Sequence, residues 1–223
     1  MPTCEELDKD LVTQWQWDQQ HGWLVMNGLP PTTRYYGTVF DGGGAMRGCA
    51  LKVPALVASG PTGNATGSGI PLYDLDRDGS YGDWYGAHEL GRTWGRYDAE
   101  HCGGSGTYFL CLGGTRHGKF CADAAECPGG TCTRRYPSDY VPYPYANGQI
   151  SGAMSGDDAF YGFDVLDRTL HGPGWTDGMT YCPLMWTSKF TFEGTSVRLK
   201  GEQIQLIVDW WWVGLGSRGL QGA

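Results

Sequence analysis

Eight cysteines constrain this 223-residue chain more than any other feature: Cys4, Cys49, Cys102, Cys111, Cys121, Cys127, Cys132 and Cys182. Their number is even, five fall between positions 102 and 132, and no two stand at the C-x-x-C spacing of a zinc knuckle. That pattern predicts a disulfide framework and an oxidising compartment, secreted or periplasmic. Met1 is followed at once by Pro2, Thr3, Cys4 and acidic residues, so no signal segment is visible. The chain reads as an exported domain written without its export segment, or as one whose upstream start has been lost. Glycine reinforces the picture: 37 residues, with 12 prolines, imply long ordered loops around a modest scaffold. The length suits one domain, 1–223, with a core of its own. A net charge of −8 argues against nucleic acid and anionic membrane as partners. No run approaches the ~18 apolar residues of a membrane span.

Along the chain, residues 5–26 suit an amphipathic helix, with Leu7, Leu11, Val12 and Trp15 near helical spacing, ended by Pro30 and Pro31. Arg34 to Phe40 is β-rich and closed by the turn Asp41-Gly42-Gly43-Gly44, and Cys49 to Ser59 is a second strand region in which Pro54 marks an edge or bulge. In Asp74-Leu75-Asp76-Arg77-Asp78-Gly79 alternate carboxylates and a glycine turn resemble the first half of a calcium loop, making Asp74, Asp76 and Asp78 candidate ligands. Tyr85 stands where a closing glutamate would be, and a plain acidic turn fits the same residues. A helix follows over 83–97, capped by Asp83 or Ser80. Residues 99–148 are rich in Gly, Pro and Cys, with Cys121 to Cys132 a stapled loop insertion. Strand-like or core-packing character returns over 161–166, and the apolar run Ile204 to Val213 reads as a buried strand.

The chemistry-bearing stretch is His88-Glu89-Leu90-Gly91-Arg92-Thr93-Trp94-Gly95-Arg96-Tyr97-Asp98. Ligands at i and i+4 on a helix face the same way and can share one ion, and the residue after the first can serve as general base. A glycine three residues past the second ligand lets the chain turn and bring back a third. His88, Glu89, Gly95 and Asp98 fill those places. Arg92 does not: a permanent cation cannot coordinate zinc. As a plainer alternative, His88 and Glu89 form a satisfied polar network on a buried helix face. Trp84 and Trp94 read as core or cleft-wall residues.

About 80 residues on comes Asp177-Gly178-Met179-Thr180-Tyr181-Cys182-Pro183. With the helix signature, this turn makes the chain resemble the metzincin zinc endopeptidases. Segments 35–50, 57–63, 78–91, 161–165 and 179–188 are similar to bacterial secreted members of that superfamily, so the resemblance spans roughly 35–190. It implies an α+β fold: one domain, a mixed twisted sheet, a long active-site helix, a Met-turn and Gly/Cys-rich loops. It further implies His88 and Asp98 as zinc ligands, Glu89 as base, Gly95 as the turn, Met179 as the floor and Tyr181 as a stabiliser of the oxyanion. Arg92 departs from the pattern, and two acids lie in its reach, so it is expected to pair with Glu89 or Asp98 in place of a metal. A substitute ligand would come from His101 first, then His171 or His117. Two functions follow: an exported zinc endopeptidase, or a noncatalytic pseudoprotease that binds a peptide or protein partner in the retained cleft.

Overall fold

The computed structural model describes residues 3–39, 48–50, 52–62, 81–102, 108–117, 121, 124–135 and 140–216. The chain divides into two compact units, one of Met1–Arg96 with Thr187–Ala223 and one of Tyr97–Trp186. Helices and short sheets make it an α+β protein, and among the described residues the strands pair as four two-stranded ladders.

The first unit opens with α1 (Cys4–Gln20), started by a capping box. Thr3 Oγ1 accepts the Glu6 amide at 3.3 Å, and Glu6 Oε2 accepts the Thr3 amide at 2.8 Å. That backbone bond, with the Thr3 hydroxyl, holds the Glu6 carboxyl below its usual range. The helix expected over 5–26 is broken at its end. Gly22 takes a left-handed φ of +69° and only a four-residue α2 (Trp23–Met26) follows. The fully buried side chains of α1 are polar: Asp8 and Asp18 lie inside while Leu7, Leu11 and Trp15 are half-buried.

Strand β1 (Tyr35–Val39) pairs in parallel with β2 (Val57–Pro61), Tyr35 opposite Val57 and Val39 opposite Pro61. β2 is buried along its whole length, because α1 and α3 (Gly82–Thr93) both pack on it. The second strand is shorter than expected. Cys49 makes one antiparallel bridge to Ser59, the chain passes through a cis Val53–Pro54 bond, and regular pairing begins at Val57. A Cys4–Cys49 disulfide fastens the start of α1 beside that bridge, with Cys4 Sγ 3.1 Å from Ser59 Oγ.

The apolar run 204–213 is not a strand but lies within α4 (Lys189–Gly216). Ser188 Oγ accepts the Thr191 amide at 3.0 Å, an N-cap bond that nucleates the helix, after which extension adds one hydrogen bond per residue fixed. A continuous apolar run carries no period to separate the two readings. On the same helix Arg198 reaches Glu202 at 2.7 Å, and Glu202 also grips Arg34 from the chain just before β1.

The second unit is built of hairpins and staples. β3 (Tyr108–Gly113) and β4 (Gly130–Arg135) pair antiparallel with Cys111 opposite Cys132. Disulfides Cys111–Cys127 and Cys121–Cys132 cross this hairpin, their sulfurs forming its buried centre. Closing a loop of ~15 residues removes about 3 kcal/mol of unfolded-chain entropy, which matters in a hairpin with so small a core. The disulfide staple expected around 121–132 is present, and its pairs interleave. β5 (Gly162–Asp164) and β6 (Thr169–His171) form a second hairpin. Of the strand-like or core-packing character expected over 161–166, a strand is present over Gly162–Asp164 alone, and the large residues do not pack into a core: Phe163, Val165 and Leu166 are exposed. β7 (Thr176–Asp177) and β8 (Met185–Trp186) are short parallel partners flanking the methionine turn.

Candidate functional site

The residues of the helix signature and of the methionine turn are divided between the two units. His88, Glu89, Arg92 and Gly95 belong to the first. Asp98, His101, Met179 and Tyr181 belong to the second.

In the first unit α3 carries the signature. Its N-cap is Tyr81, so Asp83 is not the expected cap but a first-turn acid, its Oδ1 accepting the Trp84 amide at 2.8 Å. Ser80 lies outside the described residues, as do Asp74, Asp76 and Asp78 of the candidate calcium loop. The helix closes at Thr93 rather than running to Tyr97, and Gly95 is the reason. The Arg96 amide donates to the Gly91 carbonyl at 3.0 Å and the Gly95 amide to Arg92 at 2.9 Å, a Schellman closure that needs the left-handed φ of +85° glycine supplies. The turn expected at Gly95 is thus a property of the helix end itself.

His88 and Glu89 are almost fully buried, at 1% and 2% exposure. The His88 ring lies against Trp84, centroids 5.1 Å apart, so Trp84 is a core residue. Arg92, one turn on, places its Nε 3.6 Å from Glu89 Oε2. The ion pair expected between the cation at the ligand position and the neighbouring base is present. Trp94 lies under the Arg34 guanidinium, 5.6 Å from ring centroid to Cζ.

Two further residues lie close to Glu89, and sequence reasoning gave them no role. Gly48 lies against Glu89: a Cβ there would come within 2.8 Å of Glu89 Cγ and of Tyr85 Cδ1. Tyr36, on β1, points its hydroxyl at the backbone of Gly60, where a side chain would collide with it. Burial, then the nearby Glu89, Asp8 and Tyr85, push the Tyr36 phenol well above its usual pKa, so it stays protonated. The alternation of a strand marks which face Tyr36 occupies, but not that α3 brings an acid to it.

In the second unit the methionine turn is tightly made. Asp177, fully buried, accepts the Met179 amide on Oδ1 at 2.7 Å, and its carbonyl accepts both the amide and the hydroxyl of Thr180. Thr180 Oγ1 in turn accepts the Cys182 amide at 3.2 Å. The segment after the signature helix is laced to this turn. The Ala99 amide donates to Met179 O at 2.9 Å, the Tyr181 amide to His101 O at 3.5 Å, and Cys102 is disulfide-bonded to Cys182. Asp98, with 5% exposure, begins that segment and Met179, with 2%, sits in the turn. The structure therefore brings the expected third ligand's segment and the expected floor methionine into one hydrogen-bonded substructure. Asp177 had no assigned role in the sequence reading. An acid two residues before a methionine in a Gly-containing turn is the signal that could have found it.

His171 and His117 take structural places. His171 packs between Trp175 and Trp186, at 3.8 and 4.4 Å, and His117 Nδ1 accepts the Gly113 amide at 2.9 Å.

The chain matches no protein-family model, no curated protein and no solved structure.

Zinc, implied by the resemblance, does not fit the donor set at the signature. Arg92 has no lone pair to offer, and its fixed charge is already set against the carboxylate that would activate a water. Two other groups among the described residues hold ligand-type atoms within 4.8 Å of one another: Cys111, Cys121 and Cys127, and Cys4, Asp8 and Cys49. Every one of these cysteines is in a disulfide, and metals bind the thiolate, so both groups become metal sites only after reduction.

Proposed function

We propose that the chain is an exported, noncatalytic descendant of a metzincin-type peptidase that binds a peptide or protein partner without cleaving it. The Glu89–Arg92 ion pair carries this reading. In a peptidase the carboxylate at position 89 would draw a proton from a metal-bound water. Here a fixed cation stands beside it, at the position where a ligand would have to face the ion. Repulsion between that charge and an incoming dication is on the order of 4 kcal/mol per unit charge at 4 Å and an effective dielectric of ~20. Support for the peptidase ancestry comes from the Schellman turn at Gly95 and from the lacing of the Asp98–Cys102 segment onto the Met179 turn. The four disulfides support export. No helix among the described residues is long and apolar enough to cross a membrane.

The test is zinc content after dialysis against excess metal and then metal-free buffer, with hydrolysis of unfolded casein measured alongside. Substoichiometric zinc and no chelator-sensitive cleavage are expected, and Arg92→His is expected to gain zinc. One zinc per wild-type chain with chelator-sensitive cleavage would overturn the proposal. A second reading, an active peptidase with His101 as the substitute ligand, draws on the place of His101 beside the Met179 turn. It requires wild-type zinc that His101→Ala abolishes.

A further inference from the structure

The first unit also holds a cleft of about 580 Å³ lined by Gln14, Trp17 and Asp18 of α1, Trp23 of α2, Leu29, Arg34 just before β1 and Tyr35 at its start. Gln14, Trp17 and Asp18 stand three and four residues apart, which puts them on one helix face. The two indoles are half-exposed, Trp17 at 50% and Trp23 at 42%. Large aromatic surface left at the mouth of a cleft marks a place where something docks. Trp17 stacks on His21, centroids 4.2 Å apart, which steadies a ring that stays half-exposed.

Charge decides what fits. Arg34 is turned to an ion pair inside the protein: its two terminal nitrogens reach the two carboxylate oxygens of Glu202, shared with Arg198, at 2.7 and 2.8 Å. Asp18 forms no ion pair among the described residues. Its side chain is buried, with 5% exposure, and its oxygens accept from Gln14 Nε2 at 2.9 Å and from the Tyr35 hydroxyl. An ionised carboxylate offers about four acceptor sites, so two remain. The lining therefore sets a carboxylate that forms no ion pair among the described residues beside two indoles. Indole faces attract cations through the ring quadrupole, most strongly where water is excluded, and a carboxylate adds to that attraction.

We propose that this cleft binds an organic cation, an alkylated ammonium group seated between Trp17 and Trp23 with Asp18 as its counterion. A neutral sugar ring would use the same indole faces but would gain nothing from the charge of Asp18.

The experiment titrates the full chain with tetramethylammonium chloride at constant ionic strength, following the indole N–H resonances by NMR, with Trp17→Phe and Trp23→Phe to assign them. Saturable shifts confined to these two signals are expected, with no response to tert-butanol, the neutral isostere. Trp23→Ala, which alters an exposed ring, should keep the wild-type melting temperature and weaken binding about tenfold. Asp18→Asn should weaken it by a similar factor. Absence of saturable shifts would overturn the proposal. So would an equal response to tert-butanol, stronger binding of methyl glucoside, or wild-type affinity in a folded Trp23→Ala chain.

Discussion

The amide of Ala99 donates to the carbonyl of Met179 across 2.9 Å, although 80 positions separate them in the chain. The bond fixes the strand of backbone that leaves Asp98 against the turn that carries the methionine. Its neighbour is the covalent bond between Cys102 and Cys182.

Replacing both Cys102 and Cys182 by Ser should cost about 4.5 kcal/mol, the loop-entropy value for a closure of this length. The loss should appear in urea unfolding. In native-state hydrogen exchange the Ala99 amide should lose more protection than amides of the β3–β4 hairpin, which keeps its own two disulfides.

Asp177→Ala should destabilise by about 1–3 kcal/mol, because the buried Met179 amide loses its acceptor. Asp177→Asn keeps an oxygen in place and should cost clearly less. Equal losses in the two variants, measured by chemical denaturation, would show that the amide bond is not what holds the turn.

A double-mutant cycle on Glu89 and Arg92 tests the ion pair. Arg92→Met alone leaves the carboxylate at 89 buried beside an apolar side chain and should cost about 1–3 kcal/mol. In a Glu89→Gln background the same change should cost less by about 1 kcal/mol. Additive losses would mean that Arg92 contributes through packing alone.

The Tyr35 phenol is pushed up to about 12, first by burial and then by its hydrogen bond to Asp18. Folded protein holds this proton more tightly than unfolded chain. The stabilisation is therefore complete below pH 10, the ordinary value, and is lost as pH rises toward 12. Spectrophotometric titration should show Tyr35 and Tyr36 titrating late, with one late phenol fewer in Tyr35→Phe, and the variant's stability should fall less steeply above pH 10.

What the sequence made legible was local. Gly95 ends α3 through bonds reaching back only to Gly91 and Arg92, so its type and spacing were enough. The pairing of Arg92 with Glu89 followed from helix geometry in the same way. Strand β1 announced itself through Tyr35, Tyr36, Thr38 and Val39. The misses needed information from elsewhere. Nothing between Ile204 and Val213 separates helix from strand, because a continuous apolar run carries no period. His21-Gly22 breaks the first helix at a glycine that isolated propensity treats as tolerable. Cysteine count predicted disulfides but not partners, since pairing depends on which backbone segments the fold brings within reach. The burial of Asp8 and Asp18 on the inner face of α1 ran against the expected apolar stripe, because Tyr35 and Gln14 supply hydrogen bonds to Asp18 that a helix wheel does not contain.

The bond between Cys102 and Cys182 also makes a ring of everything between them. The bared Val165-Leu166 tip lies inside that ring. A foreign protease that nicks it would open the circle without releasing a fragment, so the cut molecule would migrate as one species until a reductant is added. Scission at this exposed tip need not mean loss of either piece.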